Sequence, residues 1–194
     1  ILWIFPVYTV LVGSIKSLED VLGTPTFSLP SRPDLSTILK VLSDMREPLI
    51  NTFIVTVPVA LLATFVGSLA AYAIYRRFDR VSDTTVVVIA IATYIPYQAL
   101  LIPLIHVFRA IEGYVGLKLF DTLPGLALGL ATYYTPMAAL LMTIFITVIP
   151  KDYIESALVD GAGEFRIYRR VVLPLLGPGL VSTFIFILIM TWNN

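Results

Sequence analysis

The sequence predicts an all-α protein, built as a polytopic bundle of transmembrane helices. Of its 194 residues, 58% are hydrophobic and 13% are charged, and its mean hydropathy of +0.90 is too high for an ordinary soluble domain. The apolar residues also form long runs with few charges, which as helices could cross a hydrocarbon core of about 30 Å. We therefore expect residues 1–194 to form a single transmembrane domain in contact with membrane lipid.

Charge and composition exclude several classes of function. The 13 basic and 13 acidic residues cancel, so the chain has no basic excess of the kind that binds nucleic acid. It contains no Cys and a single His, His106, and therefore offers neither a thiolate nor a His cluster for a metal. It also lacks a Gly-rich phosphate-binding loop and any catalytic constellation inside an apolar run. We predict no enzymatic activity, no metal and no bound cofactor.

The chain opens with an incomplete membrane helix and an extramembrane loop. Residues 1–15 are apolar but too short to cross, because a span needs about 20 helical residues. They lack the basic start of a signal peptide, so we interpret them as the outer end of a truncated helix. Residues 16–48 are polar and rich in proline, with one short helix expected around 36–45. We predict that this loop is extracytoplasmic.

The second apolar run, residues 49–75, ends in a compact basic stretch. Three arginines crowd residues 76–80, whereas the longer 16–48 loop spreads its basic residues and carries more acids than bases. Basic residues in short loops favour the cytoplasmic side of a membrane. The sequence therefore predicts that residues 76–83 are cytoplasmic and that residues 109–121 lie outside.

Three further apolar runs complete the predicted bundle. The third, residues 84–108, contains Pro96 and Pro103, which neighbouring helices can accommodate. The fourth, residues 123–149, returns to the cytoplasmic side, and the fifth, residues 175–192, goes out again. Together with the partial first helix this gives about five spans. We interpret the chain as a fragment of a longer membrane protein.

A charged island, residues 150–174, separates the fourth and fifth runs. Asp152 precedes Glu155 by three residues, the spacing of a capping box, so a helix should start there. Gly161 can adopt the left-handed conformation that ends a helix. A second helix should begin near residues 163–164 and carry its apolar side chains on one face: Phe165, Tyr168 and Val172. The island is therefore predicted to form two short helices joined by a glycine turn.

The spacing within this island resembles a known family motif. The matching residues are Glu155, Ala157, Gly161, Val171, Leu173 and Pro174. They resemble the EAA loop of binding-protein-dependent ABC importer permeases, and Asp160 and Ala162 extend the match. Ser156 and Val171 depart from the usual Ala and Ile by small changes in volume.

In that family the loop is the cytoplasmic coupling helix that enters a cleft on the ATPase subunit. The resemblance thus implies the ABC importer permease fold and the same role for this loop. The implied ATPase-coupling residues are Glu155, Ala157, Asp160, Gly161, Ala162, Phe165, Leu173 and Pro174. An amphipathic connector lying at the membrane interface is the alternative interpretation of the loop.

Shorter flanking matches resemble the carbohydrate-uptake branch of the family. They lie at residues 51–52, 70–73, 95–98, 102–103 and 191–193. The resemblance implies import of a sugar or oligosaccharide across the cell membrane, with three kinds of partner. These are an ATPase dimer that binds ATP and Mg²⁺, a second permease subunit in a heterodimer, and an extracytoplasmic solute-binding protein. It also implies six spans, so that this chain would lack the start of the first and the whole of the last.

Two alternatives to sugar import stay open. The chain could be a permease for another small solute, such as an amino acid, a peptide or a polyamine. It could also be a membrane scaffold that recruits a partner without transporting anything.

Five polar side chains within the predicted spans are candidates for a substrate path: Tyr94, Tyr97, Gln98, Tyr133 and Tyr134. Placed in continuous helices, they would lie near the middle of the membrane, where transporter substrates bind. The alternative is that the tyrosines pack between helices with their hydroxyls bonded to backbone. For His106, nearer the outer surface, we favour a structural hydrogen-bonding role.

Overall fold

The structure, a computed structural model, describes residues 3–76 and 80–193. Every regular element in these ranges is helical, and no strand occurs in them. The prediction of an all-α protein is therefore confirmed. By Cα proximity the chain divides into two compact units, Ile1–Asn51 and Thr52–Asn194.

The first unit contains three helices and the start of a fourth. They are α1 (Phe5–Ser14), α2 (Leu18–Gly23), α3 (Ser36–Asp44) and α4 (Arg46–Arg76). The short helix predicted around residues 36–45 is confirmed by α3. In α2, the Ser17 side chain accepts a hydrogen bond from the Asp20 amide and so caps the helix start.

Two charged residues organise the loop of this first unit. Lys16 is only 3% exposed. Its Nζ donates hydrogen bonds to Thr24 Oγ1 (3.0 Å), Pro25 O (2.7 Å) and Ser28 Oγ (3.1 Å). Asp20 accepts hydrogen bonds from the Oγ and the amide of Ser31, which lower the pKa of its carboxyl. Hydrogen bonds thus replace the water that a buried charge loses.

The second unit holds the remaining helices. In chain order they are α5 (Arg80–Ala92), α6 (Tyr97–Val115), α7 (Leu123–Ile146), α8 (Lys151–Val159), α9 (Glu164–Ile167), a π-helical turn (Tyr168–Val172), α10 (Leu173–Leu175) and α11 (Gly177–Trp192). Residues 77–79 of the predicted cytoplasmic loop 76–83 lie outside the described ranges.

Within the described ranges, three helices are long and apolar enough to cross a membrane: α4, α6 and α7. A fourth candidate is the pair Glu164–Leu175 and Gly177–Trp192, which is bent by 76°. These four correspond in order to the predicted second to fifth runs, although the bounds of the third differ. The first is represented by α1, which has 10 residues and is too short to cross alone. The prediction of a polytopic helical membrane bundle is confirmed.

The third apolar run is not a single helix, and its predicted bounds of 84–108 are wrong. α5 ends at Ala92, and α6 begins at Tyr97 with Pro96 as its N-cap. Pro96 has no amide hydrogen to donate and disfavours helical backbone at the residue before it, so the helix stops and restarts there. α6 then continues to Val115, into the region predicted to be the outer loop 109–121.

Close contacts between α4 and α7 bring the centre of the second unit together. A Cβ atom added to Gly67 would lie 2.7 Å from the backbone carbonyl carbon of Ala138 and the amide nitrogen of Ala139. One turn away on either side, Ala63 and Ala71 are fully buried. Small residues at this spacing let two helix backbones approach without a side chain between them. α7 also packs against α5, α6 and α11.

Candidate functional site

The charged island forms two short helices joined by a glycine turn, as predicted, but its first helix starts differently. α8 has Pro150 as its N-cap, and no side chain in the described chain caps it. The predicted capping box is therefore wrong, because Asp152 is already the second residue of the helix. Ile154 is buried, whereas Glu155 is exposed and makes no hydrogen bond to a described residue. Because Glu155 does not cap the helix, its carboxylate can interact with a partner protein.

Gly161 takes the left-handed conformation that the sequence predicts, with φ of +76°. Its amide donates to the Leu158 carbonyl at 2.9 Å, and the Ala162 amide donates to the Ala157 carbonyl at 3.0 Å. This pair of hydrogen bonds defines a Schellman motif, which ends the helix and turns the chain. A residue with a Cβ adopts this backbone only at a cost.

The second helix buries a different apolar face from the predicted one. It begins at Glu164 and changes from α to π winding at Tyr168. Ile167, Tyr168 and Val172 are buried, but Phe165 is 70% exposed. The predicted grouping of Phe165 with Tyr168 and Val172 is wrong because the ends of the membrane helices cover the side of the loop helix that carries Ile167 and Tyr168, which leaves Phe165 outside the apolar core.

One apolar core fastens both short helices to the membrane helices. Its buried members are Ala71, Tyr72, Met142, Ile146, Ile149, Ile154, Ile167, Tyr168, Val172 and Leu176. They come from α4, from α7 and the residues just after it, from both loop helices and from the start of α11. Ala157, Ala162 and Leu173 are half-buried against the same core. The loop is therefore packed onto the ends of the spans.

The Glu164 carboxylate joins the second loop helix to the end of α4. Nη2 of Arg76 lies 2.7 Å from Oε1 of Glu164, and Nε of Arg76 lies 3.1 Å from its Oε2. The Tyr72 hydroxyl donates to Oε2 at 2.6 Å. Both side chains of the ion pair are partly exposed, so it contributes at most about 1 kcal/mol to stability. Its bidentate geometry nevertheless fixes the orientation of the Glu164 carboxylate relative to the Arg76 guanidinium.

Two further hydrogen bonds run along the same contact. The Tyr168 hydroxyl lies 2.7 Å from Oγ of Ser68, which is fully buried. The Tyr75 hydroxyl donates to the Ile149 carbonyl at 3.1 Å. We call Ser68, Tyr72 and Arg76 of α4, with Tyr168 and Glu164 of the loop, the polar ladder. Sequence reasoning missed it, although polar residues at every fourth position of an apolar helix are a recognisable stripe.

The predicted coupling residues divide into an anchored set and an outward set. Ala157, Ala162 and Leu173 belong to the anchored set that touches the core. Glu155, Asp160, Gly161, Phe165 and Pro174 are exposed. Around them lie further exposed side chains, among them Tyr153, Val159, Arg166, Arg169 and Arg170. The loop thus presents a mixed surface of apolar, acidic and basic side chains.

Three of the predicted path residues meet in one cluster. The rings of Tyr97 and Tyr133 are 5.3 Å apart, and those of Tyr133 and Tyr134 are 5.0 Å apart. The Tyr134 hydroxyl donates to the Met190 carbonyl of α11 at 3.1 Å, as the packing alternative expects. Within the described residues, the hydroxyls of Tyr97 and Tyr133 have no hydrogen-bond partner. These two are therefore the stronger candidates to meet a solute.

The structure does not bring Tyr94 and Gln98 into this cluster. Tyr94 lies in the break between α5 and α6 and is 86% exposed, and Gln98 is exposed on the first turn of α6. The depth assigned to them assumed one continuous helix, which the break rules out. His106 is also exposed and makes no hydrogen bond to a described residue, so its predicted structural role is wrong for this chain alone. No group of three or more His, Asp or Glu side chains in the described ranges could hold a metal ion.

Comparison with known families decides the assignment of the chain. Residues 63–194 match the family described as the binding-protein-dependent transport system inner membrane component. The chain belongs to this family. The matched region includes residues 63–76 of α4, the whole loop 150–174 and α11, so the polar ladder lies entirely within the family domain. Membership makes the chain a multi-pass permease component of the cell membrane, and confirms the resemblance found in the sequence.

Named relatives of this permease extend over the whole chain. It is 37% identical to the glucose import system permease protein GlcU of Saccharolobus solfataricus, over 100% of this chain and 68% of that protein. It is 31% identical to the probable starch degradation products transport system permease protein AmyC of Thermoanaerobacterium thermosulfurigenes, over 100% of this chain and 69% of the other. It is 30% identical to the trehalose transport system permease protein SugB of Mycobacterium tuberculosis, over 100% of this chain and 66% of that protein. These relatives are sugar permeases.

A solved structure shares the fold. The permease aligns with a TM-score of 0.80 and 25% identity to a chain of a bacterial ABC transporter involved in the import of the acidic polysaccharide alginate. The alignment covers 100% of this chain and 66% of that one. The permease chain described here thus spans about two thirds of the length of the proteins it resembles.

Proposed function

We propose that this permease is the membrane-spanning subunit of an ATP-driven importer that carries a sugar or oligosaccharide inward. The observation that carries the proposal is the construction of the loop 150–174. One side of the loop is packed and hydrogen-bonded to the ends of the spans, and the other exposes Glu155, Phe165 and three arginines. Such a loop can transmit a movement of a partner subunit to the membrane helices.

Family membership supports three partners for this permease. Residues 76–83 and 150–174 would lie in the cytoplasm, where a dimer of ATPase subunits would bind ATP and Mg²⁺ and contact the loop. A second permease subunit, different from this one, would complete the path through the membrane. A solute-binding protein would deliver the substrate on the side of residues 16–48. Alternating access, driven by the loop, would then move the solute.

A neutral, hydroxyl-rich solute suits the tyrosine cluster. Aromatic faces pack on the apolar faces of a sugar ring, and phenol hydroxyls can donate to and accept from its hydroxyls. Tyr97 and Tyr133 have hydroxyls that are unpartnered within the described residues and lie side by side. Names of relatives that refer to glucose, starch degradation products and trehalose support the same substrate class.

Uptake into vesicles tests the proposal. The full-length permease is reconstituted with its partner permease and ATPase subunits, and the solute-binding protein is supplied on the receiving side. We expect uptake of labelled glucose, maltose or trehalose that requires ATP and the binding protein. Uptake of an amino acid, a peptide or a polyamine instead would establish another solute class. Assembly with the ATPase but no solute flux would identify a scaffold and reject the proposal.

A further inference from the structure

The polar ladder connects two elements whose movements must be related if the loop transmits force. Its α4 members, Ser68, Tyr72 and Arg76, are four residues apart and so share one face of that helix. Its loop members run in the opposite direction: Tyr168 meets Ser68, and Glu164 meets Tyr72 and Arg76. The second loop helix is thus held antiparallel to the last two turns of α4.

The contacts are of different kinds along this ladder. At the buried end, the Ser68 and Tyr168 hydroxyls are 2.7 Å apart, and the rings of Tyr72 and Tyr168 lie 5.5 Å apart. At the open end, Arg76 grips Glu164 through two nitrogens, although the Glu164 side chain is 58% exposed. Apolar packing resists separation but permits sliding and rotation. Two parallel hydrogen bonds to a carboxylate, together with a third from Tyr72, are directional and oppose both movements.

From this geometry we infer that Arg76 and Glu164, assisted by Tyr72, are positioning residues for coupling: they lock the second loop helix to α4 so that the two move as one body. The Glu164 backbone carbonyl lies 3.4 Å from the Tyr72 hydroxyl, so even the chain at the helix start is within reach of α4. Glu164 is separated from Gly161 by only two residues. A displacement of the first loop helix therefore reaches α4 through this carboxylate as well as through the shared apolar core. The inference rests on the proposed transport function.

Exchange of the two charges tests the inference in the complete reconstituted importer. The variants are Arg76→Glu, Glu164→Arg and the double variant that carries both. The measurement is the number of solute molecules imported per ATP hydrolysed, alongside co-purification of the ATPase. We expect each single reversal to lower the import per ATP by about fivefold with the ATPase still bound. The double variant restores the ion pair in reverse and should return to within about twofold of the original value.

Smaller substitutions protect the test against a folding defect. Glu164→Gln keeps the size of the side chain and weakens the ion pair, and Tyr72→Phe removes only the third hydrogen bond. Both should lower import per ATP less than the reversals do. Unchanged import per ATP in the single reversals, or no recovery in the double variant, would overturn the inference. Loss of ATPase binding in all four single variants would also overturn it, because the ladder would then serve assembly alone.

The result separates this inference from the proposed function. If the unaltered importer moves no solute with ATP, the proposed function fails whatever the variants do. If it transports normally and the reversals leave import per ATP unchanged, only the inference about Arg76 and Glu164 fails.

Discussion

Ser68 and Tyr168 are 100 positions apart in the sequence, yet their hydroxyl oxygens lie 2.7 Å apart inside the protein. Oγ of Ser68 also donates to the Phe65 carbonyl at 2.7 Å. A serine hydroxyl has one proton, so Tyr168 must donate to Ser68. The two residues therefore have unequal roles, and their substitutions should have unequal costs.

Removing the serine hydroxyl should be the more damaging change. Ser68→Ala leaves the Tyr168 hydroxyl buried without an acceptor, at a cost of about 1–3 kcal/mol in unfolding free energy. Tyr168→Phe leaves Ser68 its own hydrogen bond to Phe65 and should cost less, about 1 kcal/mol. Thermal unfolding of the purified complex measures both. The double variant is the control and should be less destabilised than Ser68→Ala. If all three variants are as stable as the unaltered protein, the pair contributes nothing to stability.

A graded series at Gly161 separates backbone strain from contact with a partner. A Cβ atom added there meets nothing within 4 Å in this chain, so only the φ of +76° opposes a side chain. Left-handed backbone costs Ala about 1 kcal/mol, and Asn tolerates it better. If strain dominates, transport should fall in the order Asn, Ala, Val, with membrane levels unchanged. If the ATPase lies close to Gly161, Ala should instead transport better than Asn, and Gly161→Asp should be worse than Gly161→Ala.

Gly163 provides the matched control for that series. It lies two residues away with an ordinary φ of −73°, and a Cβ there also meets nothing within 4 Å. Gly163→Ala should therefore transport normally. Equal loss in Gly161→Ala and Gly163→Ala would mean that the left-handed turn is not what transport depends on, and a Gly161→Asp protein with the original transport rate would identify the loop as a passive connector.

Replacement of Tyr97 or Tyr133 by Leu should lower solute uptake or shift substrate preference, because each removes an unpartnered hydroxyl and an aromatic face. Assembly with the ATPase should be unchanged. Uptake kinetics in vesicles measure the effect. Tyr114→Leu is the control, since Tyr114 lies near the end of α6 and is 92% exposed. If both variants transport as Tyr114→Leu does, the tyrosines serve only to pack the helices.

The absence of native Cys makes the topology directly testable. Ser36 begins α3 and Ser82 lies in the first turn of α5. In intact cells, Ser36→Cys should react with a thiol reagent that does not cross membranes, and Ser82→Cys should react only after the cells are opened. The reverse pattern would place the loop 150–174 outside and remove the basis for coupling.

The crossing of α4 and α7 should be intolerant of any side chain at Gly67. Its Cβ would lie 2.7 Å from backbone atoms of Ala138 and Ala139, and backbone cannot rotate away as a side chain can. We expect Gly67→Ala to lower the unfolding free energy by about 1–3 kcal/mol, measured by thermal unfolding. The control is Gly113→Ala in α6, where a Cβ meets nothing within 4 Å. Equal stability of the two variants would mean that α4 can shift away freely.

Sequence patterns predicted those features of the fold that depend only on residues close together in the chain. Long apolar runs predicted the fold class, and Gly161 predicted the turn, because hydropathy and left-handed backbone are properties of single segments. The break before Tyr97 was missed because the cost of Pro96 depends on what surrounds the helix. Likewise Pro150 displaced the capping role expected of Asp152.

The polar ladder could not be predicted in the same way. Glu164 is 88 residues from Arg76 and 92 from Tyr72, and only the packing of α4 against the loop brings them together. The burial of Ile167 in place of Phe165 likewise depends on where the ends of α4 and α7 lie, which periodicity within the loop does not indicate.

Because of the π-helical turn at Tyr168–Val172, the number of residues in the loop also determines how the second loop helix is rotated about its axis. A π turn takes up one more residue than an α turn, and one residue of α-helix corresponds to a rotation of about 100°. The spacing between Gly161 and the Leu173–Pro174 pair therefore encodes the orientation of Glu164 about the helix axis, as well as a distance. Deleting one residue between them would preserve the composition of both ends while rotating the carboxylate away from Arg76. Related transporters should therefore have no insertions or deletions between the glycine and the Leu-Pro pair. Insertions and deletions should be tolerated in loops whose contacts do not depend on helix rotation.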